Sequence, residues 1–182
     1  EDGRGRRSIA EATFELLADA GMASLSYGGI AARAGVPTAT MKRLWTSRID
    51  AVTDAMIDVF SVNQVPHTDD LAADLRTYLR GLTEVLASPR SREVTAILMA
   101  EAAADPELAA ALRDRVTAHR RADLRSRLER GPQALAVEPD DAVDLINGPV
   151  FVRALMEGRP VDDRLIDAVV GAVVVGGGGG RP

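Results

Sequence analysis

The sequence predicts an all-α protein of about nine helices, and three observations lead there. Apolar residues recur at spacings of three and four almost from end to end, and no stretch alternates apolar with polar over any length. Hydrophobic residues make up 46% of the chain but aromatics only 3%, so the core has to be Ala, Leu and Val, which favours close-packed helices over sheets. Glycine, proline and short polar residues fall at the ends of the periodic runs, where helices start and stop.

The first helix carries Ile9, Ala12, Leu16, Leu17 and Ala20 and closes at Gly21. Arg4, Arg6 and Arg7 form a basic arm in front of it, with Ser8 and Glu11 three residues apart as a capping box. Ser26, followed by Tyr27, stands at the start of a second helix, where its hydroxyl either caps the helix or binds a phosphate. That helix has a thin apolar edge at Ile30 and Ala34. Gly35 follows, a residue that tolerates the left-handed conformation needed to turn sharply. Pro37 has a φ suited to starting a new helix, and Thr38 offers a capping hydroxyl. The third helix puts Met41 and Trp45 on one side and leaves Thr38, Ala39, Thr40, Lys42 and Arg43 outside. Arg48 then opens a fourth helix with Ile49, Val52, Met56, Val59 and Phe60 as its stripe.

A connector from Asn63 to Thr68, holding Pro66 and His67, leads to a fifth helix with Leu71, Leu75, Tyr78, Leu79, Leu82 and Leu86. Ser88-Pro89 ends it, and a sixth runs from about Ser91 to Ala104 with Val94, Ile97 and Leu98 inward. Asp105-Pro106 opens the seventh and longest, which reaches Gly131. After a loop, Pro132 to Pro139, the eighth carries Val143, Ile146, Val150 and Leu155 around an internal Pro149. The ninth runs from about Asp162 to Val175, and Gly176 to Gly180 reads as a flexible tail. This gives three parts: residues 1–47, 48–175 and 176–182.

Enzyme chemistry has little to work with. There is no cysteine, His67 and His119 lie far apart, and no HExxH, GxSxG, Walker or Rossmann pattern occurs. No cofactor or metal is expected. No apolar run is long enough for a membrane span and no basic-then-apolar leader is present, so a cytoplasmic protein is expected. The net charge of −5 hides an asymmetry. Residues 1–48 hold seven basic against five acidic side chains, and the rest fifteen against twenty-two. A positive end on an acidic body orients a molecule on a polyanion.

An apolar back with a small, hydroxylic and cationic front is what a helix lying in a DNA major groove requires. The stretch from the Arg-rich arm through Gly21, Leu25-Ser26, Ile30-Ala31, Ala34-Gly35-Val36, Thr40-Met41, Arg43 and Trp45 to Ser47-Arg48 resembles the TetR family of bacterial regulators. So does the far end, where Gly148-Pro149-Val150-Phe151 leads to Arg153 and Leu155, and Gly158-Arg-Pro160 precedes the last helix. The chain departs from the family at Lys42, where an aromatic hydroxyl is usual, at Leu44, where a polar side chain is common, and at Gly28-Gly29. The resemblance implies a homodimeric, ligand-released repressor on a double-stranded DNA operator, with Arg4, Arg6, Arg7, Ser26, Tyr27, Thr38, Ala39, Thr40, Lys42, Arg43 and Arg48 facing DNA. The competing reading is a helical scaffold or small-molecule-binding protein that never touches DNA.

Two further sets are expected. Met56, Phe60, Tyr78, Leu82, Leu98, Met99, Val116, His119 and Phe151 would line a pocket for an unknown small-molecule effector, with His119 facing inward at helical spacing from Leu112 and Val116. The ninth helix shows a wide apolar face: Leu165, Ile166, Val169, Val170, Val173 and Val174. With Val143, Ile146 and Val150 of the eighth, it is expected to pack against its equivalents in a second copy.

Overall fold

The computed structural model describes residues 2–60 and 68–176. Among them the chain forms α1 (Asp2–Ala20), a short 3₁₀ turn (Met22–Ser24), α2 (Tyr27–Ala34), α3 (Thr38–Leu44), α4 (Arg48–Phe60), α5 (Leu71–Ala87) and α6 (Pro89–Ala104). Then follow α7 (Pro106–Ala111), a π-helical turn (Leu112–Thr117), α8 (Ala118–Arg130), α9 (Pro139–Phe151), a second π turn (Val152–Met156) and α10 (Asp163–Val173). The nine expected helices are recovered when residues 106–130 are counted as one element. The protein is all-α.

The chain packs as two compact units, one of residues 1–61 and 90–118, the other of residues 62–89 and 119–182. In the first, Ile9, Leu17, Ile30, Met41, Val52, Val94, Leu98 and Leu108 are almost wholly shielded from water and share one core. α1 packs on α2 and α4, and α4 packs on α7 and the π turn. In the second, α5, α9 and α10 pack on one another around Leu75, Leu79, Ile146 and Val170. An antiparallel bridge, Leu135 with Val174, ties the loop after α8 to the end of α10.

Three local expectations need correction. Ser8 does not start α1. The helix already begins at Asp2, so Arg4, Arg6 and Arg7 lie within helix rather than in a preceding arm. Arginine is a good helix former, and nothing between residues 2 and 8 forbids helix. Pro37, not Thr38, is the N-cap of α3, with φ −62° and ψ 139° and no side chain on the free amides. Pro139 is the first residue of α9 rather than the last of the loop, in keeping with proline's fitness for the first helical turn. Pro149 lacks an amide hydrogen to donate, and the widened turn follows directly, with the Glu157 amide bonding back to Val152. The Gly-rich stretch 177–180 and His67 fall outside the described residues.

Candidate nucleic-acid interface

The hairpin of α2 and α3 is built from short-range chemistry. Ser26 accepts the Gly29 amide at 3.1 Å, capping a helix whose first turn holds two glycines. Gly35 ends it at φ 67° and ψ 31°, the left-handed conformation, and the Val36 amide bonds back to Ala31 at 3.0 Å. On α3, Met41 is fully buried and Trp45, at its C-cap, nearly so. Thr38, Ala39, Lys42 and Arg43 are exposed, and Thr40 and Leu44 are half-buried. Leu44 packs against the core instead of facing out.

Tyr27 was expected to face DNA. It is half-buried instead, and its hydroxyl donates to the Trp45 carbonyl at 3.1 Å. Burial pushes its phenol pKa up. The bond runs between residues eighteen apart, too far for sequence spacing to reveal. Ser26 stays exposed while it caps, so one of its two alternative roles is already in use.

The charges divide into two classes. Arg33 pairs with Glu15 at 2.8 Å and Asp19 at 3.1 Å, and Arg90 pairs with Asp19 at 2.6 Å. The Arg90 guanidinium is the main reason the Asp19 carboxyl sits below its ordinary value. Glu15 and Asp19 of α1 are thus neutralised locally. Among the described residues, Arg7, Lys42, Arg43 and Arg48 are all exposed and no acidic side chain pairs with them. Side chains held on a carboxylate cannot also meet a phosphate without losing it, whereas unpaired cations are free to do so.

Behind α3 lies a layer that sequence reasoning missed. Ser47 and Asp50 cap the start of α4 reciprocally: Ser47 Oγ accepts the Asp50 amide at 3.1 Å, and Asp50 Oδ2 accepts the Ser47 amide at 3.0 Å. Asp50 Oδ2 also accepts from the Thr46 hydroxyl at 2.6 Å. Asp54, one turn on, accepts the Trp45 indole N–H at 2.8 Å. Both carboxylates receive Arg115 on their other oxygen, each at 2.6 Å. Asp50 and Asp54 share one helix face in sequence, but their partner more than sixty residues away carries no local trace. Trp45, Asp54 and Asp58 also line a cavity of about 280 Å³ floored by Ala10, Ala51 and Ala55.

Of the pocket set, Met56, Leu98 and Val116 are core of the first unit, with Phe60 packed against them. Met99 is 62% exposed. In the second unit Tyr78 and Leu82 are buried, and Phe151 is half-buried with Arg120 stacked 5.3 Å over its ring. The Tyr78 hydroxyl donates to Asn147 at 2.9 Å. His119 is exposed, not inward, because the π turn just before it breaks the four-residue register from Leu112 and Val116. A cavity of about 290 Å³ in this unit is lined by Thr68, Asp69, Leu71, Asp74, Arg127, Arg130 and Gly131, none of them anticipated.

The expected dimer face is also redistributed. Val143, Ile146, Val150, Ile166, Val169, Val170, Val173 and Val174 are all buried within one chain, and Leu165 is half-buried. The wide apolar face of α10 is covered by α5 and α9 of its own copy. What stays outside is Leu145, Val152 and Met156 (81% exposed) on one segment, and Ala168, Ala172 and Val175 on the other.

Residues 65–173 match the family model of the tetracyclin repressor-like C-terminal domain. The chain is 30% identical, over 90% of its length and 85% of the relative, to YdeS of Bacillus subtilis, an HTH-type transcriptional regulator. Among solved structures it resembles the TetR family transcription regulator SCO0332, with a TM-score of 0.67 and 31% identity over 92% of this chain and 94% of that one. It also resembles the transcriptional regulator SCO7518 of Streptomyces coelicolor A3(2), at a TM-score of 0.59 and 26% identity over 91% and 96% of the two chains. These matches span both ends of the molecule, which rules against the scaffold reading and against an enzyme. The protein is a DNA-binding transcriptional regulator of the TetR family.

Proposed function

We propose that the chain is a repressor that binds a palindromic operator as a homodimer and is released by a small-molecule effector. In this reading residues 1–47 are the DNA-binding head, residues 48–175 are the body, and the protein works in the cytoplasm. The observation that carries the DNA contact is the unpaired cationic front of α3, Lys42 and Arg43, on a helix whose other side is spent on Met41 and Trp45. Thr38, Ala39 and Thr40 keep that front narrow enough to enter a major groove. Lys42 and Arg48 meet phosphates, and Ser26 and the arginines at 4, 6 and 7 add backbone contacts on either side.

Support for the homodimer is the exposed apolar surface left on the second unit. Leu145, Val152 and Met156 follow one another at seven and four residues, and Ala168, Ala172 and Val175 at four and three. Ala168 and Ala172 share one face of α10 with Val175 just past its end, and Leu145 lies on α9 with Val152 and Met156 on the π turn after it; such a surface is enough for a two-fold bundle of helices. Two heads about 34 Å apart then enter successive major grooves. An effector favouring a body with another head spacing shifts the population away from DNA. Support for an effector site is the cavity of about 290 Å³ in the second unit. Among the described residues no helix is long and apolar enough to cross a membrane.

The test is a selection. The full chain, incubated with a pool of random duplexes, should enrich one inverted repeat. Enrichment of no sequence, or of one without two-fold symmetry, would contradict the reading.

A further inference from the structure

Arg115 sits in the π turn Leu112–Thr117, flanked by Val116, which is buried in the core of the first unit. Its guanidinium bridges two carboxylates one turn apart on α4, Nη1 on Asp50 and Nη2 on Asp54, both at 2.6 Å. Each carboxylate spends one oxygen on Arg115 and the other on the segment joining α3 to α4. Asp50 Oδ2 holds the Thr46 amide and hydroxyl and the Ser47 amide, and Asp54 Oδ2 holds the Trp45 indole. Trp45 is the C-cap of α3, and its carbonyl is pinned separately by Tyr27. A short path therefore runs from the π turn through two carboxylates to the end of the helix that reads DNA.

The geometry is specific to a planar fork. One guanidinium offers two parallel N–H groups, which suits two carboxylates at i and i+4, whereas an ammonium is a single point. The three side chains are only about a third exposed, so solvent screens the pairs less than it would on an open surface. The Asp50 carboxyl is held below its ordinary value, first by the Thr46 hydroxyl and further by Ser47 and Arg115. π turns inside α-helices occur often at functional sites, and this one carries a side chain that reaches both acids.

We propose that Arg115 is a positioning residue for operator recognition, holding the C-terminal end of α3 at its reading angle through Asp50 and Asp54 without touching DNA. This rests on the DNA-binding role of α3. Its consequence is selective. Loss of the fork lets α3 tilt, which harms base-edge contacts that need fixed geometry, while the phosphate attraction of the exposed cations tolerates small displacements.

The probes are the duplex that the wild-type chain enriches from a random pool and a shuffled duplex of the same composition. Arg115→Gln should weaken binding to the enriched duplex about tenfold, within the usual range for such coupling. Binding to the shuffled duplex should stay within about twofold, and the salt slope should be unchanged because no phosphate contact is lost. Asp54→Asn should reproduce the selective loss, and the double variant should lose no more than either single one, since the two act as a unit. Asp54→Asn also decides the matter if Arg115→Gln fails to fold. Equal loss on both duplexes, full affinity in a folded Arg115→Gln or Asp54→Asn protein, or additive losses in the double variant would overturn the assignment. A wild-type chain that enriches no duplex would instead overturn the DNA reading beneath it.

Discussion

Gly21 and Gly35 share φ 67° but differ in ψ, and that difference predicts how each tolerates a side chain. A Cβ built on either meets nothing within 4 Å, so substitution by alanine costs only backbone strain. At Gly35, with ψ 31°, alanine has to adopt the left-handed helical region, which costs about 1 kcal/mol. At Gly21, with ψ −175°, the backbone lies in a region that is essentially glycine-only, and the cost rises toward about 3 kcal/mol. Gly28 is the control. It lies in the first turn of α2, also faces open space, and has no positive φ, so Gly28→Ala should stabilise by about 0.5–1 kcal/mol through helix propensity. For a chain of this length each kcal/mol shifts the midpoint by about 2–4 °C. Urea and thermal melts of the three variants should rank Gly28→Ala above wild type, then Gly35→Ala, then Gly21→Ala. A Gly35→Ala protein melting at or above wild type, or Gly21→Ala proving the milder of the two, would refute the backbone reasoning.

Two more predictions follow from side chains. Asp50 has a folded pKa below its ordinary value, so its stabilisation is present above about pH 4 and is lost as the pH falls through the lowered value. Asp50→Asn should therefore melt below wild type at pH 7, and the gap should close on acidification below about pH 4; a constant gap would contradict the assignment. Ala168→Glu with Ala172→Glu should make a folded monomer by placing like charges on the proposed outer row, read by sedimentation, whereas Val170→Glu should unfold the second unit because Val170 is fully buried. A dimer that survives the alanine pair would put the interface elsewhere.

The helix-turn-helix was legible because its causes are local. Gly35, Ser26 and the four-residue spacing of Met41 and Trp45 act within one or two turns, and each does in the structure what its chemistry implies. The start of α1 was misread because a capping pattern at Ser8 and Glu11 is a weak preference that does not forbid helix before it, and Arg4, Arg6 and Arg7 favour helix even though Gly3 and Gly5 do not. The inward face of α10 was misassigned because periodicity gives the width of an apolar face but not whose residues cover it. Tyr27 and Arg115 were out of reach for the same reason at longer range: their partners lie eighteen and more than sixty residues away. The π turns escaped as well. One follows from Pro149, which sequence does display; for the turn at Leu112 no such marker exists.

In the proposed function the outer face of α3 meets DNA from both copies of a dimer. It is tested most directly by the salt dependence of binding to the enriched duplex, followed by fluorescence anisotropy for wild type and Lys42→Ala. One phosphate lost per head removes two per dimer, so the log–log slope should become shallower by about two units. A Lys42→Ala protein with an unchanged slope and unchanged affinity would contradict it.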